Sequence, residues 1–206
     1  MKKAFTMLEL VFVIVILGIL AFVFANGWER NTLREAADQI VSHIRYTQHL
    51  AMHDDKFDPR DATWYRERWQ IRFRNLLGEI GYVIFSDRDQ DANTNTNEIA
   101  VNPLNGGRLN GFLDEFKKGN LTASYGINNV LTSCLTNDGS LVTANLGSIS
   151  FDALGRPYRG VSNATQPFQY LLAEDCNITL SNNRAQSVVI TVRRETGYTS
   201  ITSQNY

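Results

Sequence analysis

A chain of 206 residues holds one domain, or one domain with an appendage. A composition of 43% apolar and 20% charged residues excludes a wholly disordered, collagen-like or disulfide-dense protein. A formal net charge of -1 supplies no global basic field for nucleic acid. The charges are unevenly placed. Between Phe5 and Trp28 the only ionisable side chain is Glu9, whereas the rest of the chain is clearly polar.

Lys2 and Lys3 precede the apolar run. Leu10 to Ala25 is 16 residues without a charge, and Phe5 to Trp28 is 24 residues. The longer count is enough to cross ~30 Å of hydrocarbon at 1.5 Å per residue. The lysines would then stay on the cytoplasmic side and the C-terminal bulk would face outward. Three readings of the segment compete. A secretory signal peptide needs a small-residue cleavage site after its apolar core, yet the run passes through Ala25, Asn26 and Gly27 without an A-x-A end. A plain membrane anchor leaves Glu9 unexplained, because a carboxylate there costs ~2.5–3.5 kcal/mol on insertion scales.

The third reading rests on order. Lys2-Lys3-Ala4 followed by Phe5-Thr6-Met7-Leu8-Glu9-Leu10 resembles the processing site of type IV prepilins and type II secretion pseudopilins. The resemblance implies cleavage between Ala4 and Phe5 by a prepilin peptidase and N-methylation of Phe5. Glu9 becomes the fifth mature residue, the family's position for this glutamate. Ala4 stands where the family usually has glycine. The resemblance also implies a bacterial inner-membrane, single-pass protein with a periplasmic head. Its implied partners are the membrane before assembly, an inner-membrane assembly platform, and other pilins or pseudopilins in a helical filament. Cleavage frees an ammonium at Phe5, and Glu9 of one subunit can pair with the Phe5 amine of a neighbour. In a low-dielectric core, loss of either partner would cost several kcal/mol.

Beyond Trp28, Leu33, Ala36, Ala37, Ile40, Ile44 and Ala51 recur at three- and four-residue spacing, with Arg34, Glu35, Asp38, Arg45 and Gln48 largely off the stripe. No proline appears before Pro59. The reading is one long helix from about Thr6 to about His53, on the order of 70 Å. His49 and His53 have the i, i+4 spacing of metal-ligand pairs, with His43 nearby. They lack a flanking Glu and a third ligand, so they read as exposed helix histidines.

From about Trp64 the periodicity changes to two. Trp69, Ile71 and Phe73 alternate with polar residues, and Tyr82–Phe85 follows a turn at Gly78–Gly81. Four further strands are expected at Ser148–Phe151, Asn177–Leu180, Ser187–Val192 and Tyr198–Ile201. Residues 102–140 are rich in Gly and Asn and read as a loop with a short helix at Phe112–Lys118. The fold class is therefore α+β: a long N-terminal helix, membrane-embedded in its first half, packed on a mostly antiparallel β head. The expected organisation is a leader at 1–4, a transmembrane or filament-core half-helix at 5–28, an amphipathic half-helix at 29–55 and a head at 56–206 with an insertion near 102–140. The Ala-Ala-rich helix, the Phe151-Asp152-Ala153-Leu154-Gly155-Arg156 piece and the hairpin through Thr196-Gly197-Tyr198 resemble the GspH/FimT-type minor pilins and pseudopilins.

Three groups in the head could carry chemistry. Asp87, Asp89, Asp91, Asn93, Asn95 and Glu98 place oxygen ligands at alternating positions, the spacing of a twelve-residue calcium loop, with Ala92 where such loops need Gly. Calcium binding and a solvated polar turn both fit. Cys134 and Cys176 are the only cysteines; they either pair or remain separate thiols, and pairing would be worth roughly 3–4 kcal/mol. Arg184, Arg193 and Arg194 could form a basic strip near the last hairpin. A solvated strand edge is the alternative. No nucleotide fingerprint or catalytic Ser-His-Asp set is assembled, so neither an enzyme nor a resident cofactor is expected, and assembly work would come from a separate ATPase. The functional expectation is a minor pilin or pseudopilin of a type II secretion pseudopilus or type IV pilus. The alternative is a DNA-binding minor pilin of natural transformation.

Overall fold

The computed structural model describes residues 6–25 and 31–205; in the first stretch the side chains are described as far as Phe22. The chain divides into two units, Met1–Asn31 and Thr32–Tyr206.

The first unit contains helix α1, Met7–Ala25. Its start is capped by Thr6, whose hydroxyl accepts from the Glu9 backbone N–H at 3.3 Å. Apolar side chains cover every side of α1, and they are exposed: Met7 is 87%, Phe12 67% and Phe22 69% accessible.

In the second unit, helix α2 spans Thr32–His53 and is amphipathic. Leu33, Ala36, Ala37, Ile40, Val41, Ile44, Thr47 and Ala51 form its buried stripe. The small Ala36–Ala37 pair lets the helix approach closely. Its core partners include Trp69, Ile71, Phe73, Ile149, Phe151, Ile178, Ile190 and Val192.

Those partners come from two antiparallel sheets. The first has the order β2 (Glu79–Ser86), β1 (Trp69–Leu76), β5 (Ser148–Phe151), β6 (Pro157–Tyr158). The second has the order β4 (Leu141–Asn145), β3 (Ile127–Leu135), β7 (Cys176–Asn182), β8 (Ser187–Val192), β9 (Thr199–Asn205). Strand alternation points Trp69, Ile71 and Phe73 into the core with α2. Gln70 and Arg72 take the other face of β1. There Arg72 donates to Ala92 O at 2.7 Å and to Ser162 Oγ at 2.6 Å, so loops cover this face too.

Two expectations are corrected here. The single helix from about Thr6 to about His53 is two helices, and Asn31 between them is non-helical. The intervening sequence includes Asn26 and Gly27, both poor helix formers. Nor does any helix among the described residues have the length and apolarity to cross a membrane. The described side chains of α1 run from Met7 to Phe22, 16 residues, short of the ~20 that a spanning helix needs. The long helix with a membrane-embedded first half, and with it the single-pass inner-membrane placement, is therefore not supported.

The 102–140 segment is also more ordered in its architecture than a loop. After 3-10 turns over Asp114–Gly119 come the short helix α3, Leu121–Tyr125, and then β3. Asn120 caps α3 by accepting from Ala123 N at 3.0 Å, and Gly126 ends it at φ +71°. Val130 and Cys134 of β3 enter the core beside Leu180 and Cys176 of β7.

A single side chain on α2 fastens two distant turns. The Gln48 amide donates to Gly155 O at 2.8 Å and to Thr196 O at 2.7 Å. Gly197 sits beneath this clamp at φ +65°, where an added Cβ would lie 2.6 Å from Gly155 O. Gly197→Ala should therefore lower unfolding free energy by about 2 kcal/mol, combining left-handed strain with overpacking. Urea denaturation measures it; an unchanged midpoint would contradict the close approach.

Candidate functional site

The processing residues Ala4 and Phe5 lie outside the described residues. Glu9 is in the first turn of α1. Its neighbours Met7, Leu8, Leu10, Val11 and Phe12 are exposed. The arrangement is a carboxylate in the first turn of a helix whose described large apolar side chains, as far as Phe22, are exposed.

In the second unit, Asp87, Asp89 and Asp91 follow β2, and one carboxylate oxygen from each lies within 4.8 Å of the others. Asp89 and Asp91 are exposed, whereas Asp87 is 1% accessible. Asp87 Oδ2 accepts from Ala92 N at 3.1 Å; Asp87 Oδ1 is buried and has no hydrogen-bond partner among the described residues. Burial, chiefly, pushes the Asp87 carboxyl up to about 6, with Glu98 and Asp91 adding repulsion against the Ala92 N–H bond.

Glu98 plays a different part from the one its spacing suggests. It is buried, and it accepts from Arg88 N at 2.7 Å, Asp89 N at 3.3 Å and Asn95 N at 3.1 Å. It holds the loop closed from below and is not in the three-aspartate cluster. Asn93 and Asn95 donate to Asp91 Oδ2 (3.1 Å) and Asp89 Oδ2 (2.7 Å). Ala92 occupies the expected glycine position and adopts a left-handed φ of +63°, as does Gln90 at +57°.

Cys134 and Cys176 form a disulfide with Cα atoms 4.4 Å apart, one step beyond the paired residues Ser133 and Asn177. The bridge ties β3 to β7. The three arginines are not brought together. Arg184 lies in the β7–β8 turn, and Arg193 and Arg194 lie beyond the other end of β8. Arg193 pairs with Asp175 at 2.5 Å, and Arg194 donates to Ala173 O at 2.6 Å and pairs with Glu195 at 3.3 Å.

The histidines separate as well. His49 and His53 stack with ring centroids 4.1 Å apart and are exposed. His43 is half-buried against Phe116, its Nδ1 2.6 Å from the Tyr82 hydroxyl. Gln39 donates to the same hydroxyl at 2.7 Å and accepts from the Tyr125 hydroxyl at 2.7 Å. Sequence spacing missed this network because its members come from α2, β2 and α3. The sequence named Asp152 without showing its role: it accepts from Leu154 N, Arg156 N, Arg156 Nε and the Tyr158 hydroxyl at 2.8–3.0 Å. The Phe151-Asp152-Ala153-Leu154-Gly155-Arg156 piece is thus a carboxylate-centred turn.

Compared with protein-family models, curated proteins and solved structures, the chain gives no match.

Burial lowers His43 to about 4, from an ordinary 6.5. Between those values the unfolded chain binds the proton and the folded chain does not, so this residue withdraws stability as pH falls from 6.5 to 4. The raised Asp87 carboxyl acts in the opposite sense below pH 6, so the informative quantity is the difference between two chains. His43→Asn should lose less stability than the parent over that interval, as read by denaturation at stepped pH. Parallel pH profiles would contradict the burial argument.

Proposed function

We propose that this chain is a structural subunit of a helical filament of the type IV pilin and type II secretion pseudopilin kind, processed after Ala4. The observation that carries the reading is α1. Thirteen large apolar side chains from Met7 to Phe22 are exposed on all its sides. Each is worth ~1.5–3 kcal/mol when fully covered, so their contact with like helices outweighs any polar term the head could add. A head folded around its own helix α2 can ride on the outside of such a bundle without lending its core to it.

Glu9 sets the register in this reading. Inside a bundle of apolar helices an unpaired carboxylate costs several kcal/mol, and an ammonium at Phe5 of an adjoining subunit removes that cost. The charge pair acts as an alignment device, because only one axial stagger brings the two groups together. The arginines of the final hairpin, Arg193 and Arg194, are engaged with Asp175 and Glu195, and Arg184 lies at the other end of β8, so these three do not form the basic strip that DNA capture would use.

Two measurements test the proposal. Mass spectrometry of native material should find an N-methylated Phe5 terminus, and an intact Met1 in assembled material would refute processing. Glu9→Ala and Glu9→Gln should leave processing intact and reduce incorporation into filaments at least several-fold. Incorporation at the parental level would remove the charge-pair role.

A further inference from the structure

The loop between β2 and Ile99 closes over a buried anion that the protein leaves unneutralised. Asp87 is the first residue after β2 and is 1% accessible. Its Oδ1 has no partner among the described residues, and an unpartnered buried carboxylate oxygen is among the costliest groups a fold can hold. Arg72, whose charge favours the ionised Asp87, makes its bonds elsewhere. Arg72 spreads over the Phe85 ring and directs its bonds to Ala92 O, Ser162 Oγ and Gln70 Oε1.

The same loop brings two more carboxylates to the Asp87 carboxylate. Asp89 and Asp91 each place an oxygen within 4.8 Å of the Asp87 ligand oxygen. Three like charges at this separation repel one another unless a cation sits among them. Asn93 and Asn95 bond to Asp91 and Asp89 without adding charge. Glu98 fixes the loop through three backbone N–H groups, so the cluster is held from beneath by a residue that need not bind the ion.

We propose that Asp87, Asp89 and Asp91 form a calcium site. All the donors are oxygens, which excludes the nitrogen and sulfur preference of zinc. One ligand is buried and two are exposed, leaving room for water to complete the six to eight ligands that calcium accepts. Magnesium demands a near-ideal octahedron and gives up water reluctantly, so an irregular, half-open carboxylate set favours the larger ion. The ion satisfies the orphaned Asp87 oxygen and locks the 87–98 loop over the outer face of β1. This inference is independent of the filament reading and stands or falls without it.

The test uses the full chain, stripped with EDTA and kept dispersed in mild detergent. Titration with calcium chloride should give saturable heat for one ion per chain, with a dissociation constant of about 10⁻⁵–10⁻³ M, and a rise in melting temperature. Magnesium chloride should bind at least about tenfold more weakly. Asp89 and Asp91 are exposed, so the double variant D89N/D91N should fold; it should lose both the heat and the calcium-dependent rise. In EDTA it should melt no lower than the parent, since like charges have been removed. No saturable heat in the parent at millimolar calcium, or an undiminished response in D89N/D91N, would overturn the site and show a solvated polar turn.

Discussion

A helix that is apolar on every side has to meet other apolar surface, and that requirement organises the account of this protein. α1 cannot be explained as a core element, because its large side chains from Met7 to Phe22 are exposed. Placed in water, such a surface drives association. The one charge among those exposed apolar residues, Glu9, lies in the first turn, where it can discriminate between ways of stacking without diluting the apolar length that follows.

The second helix solves the opposite problem. α2 gives its apolar stripe to two sheets of its own chain and keeps its polar residues for fastening. Gln48 bonds to two turns, Arg45 donates to Thr199 O at 2.7 Å, and Thr32 Oγ1 donates to Tyr125 O at 3.2 Å. The disulfide ties the interior strands β3 and β7 together, and the Asp152-centred turn joins β5 to β6. Each unit thus directs its apolar surface differently: α2 inward to its own sheets, α1 outward.

What could be read from the sequence follows from how local each signal is. The strands at Trp69–Phe73, Tyr82–Phe85 and Ser187–Val192 announce themselves through β-branched and aromatic alternation, and the stripe of α2 through its three- and four-residue spacing. β3 was hidden because Asn128, Asn129, Thr132 and Ser133 look like loop residues; its burial comes from pairing with β7, a partner about 50 residues away. The end of helix at Asn31 is not legible because no proline marks it, so the sequence reads as continuous there. In the acidic loop, spacing singled out the three aspartates, but only the fold shows that Glu98 points into the backbone and that Asp87 is buried with an idle oxygen.

The most direct test of the central claim asks what covers α1. A photo-crosslinking residue placed at Val13 of the full chain, activated in native material, should join α1 to the corresponding apolar helix of another subunit, with the crosslinked peptides identified by mass spectrometry. Crosslinks confined to the chain's own head, or a complete absence of adducts between chains, would contradict the claim that this surface exists to pack against its like.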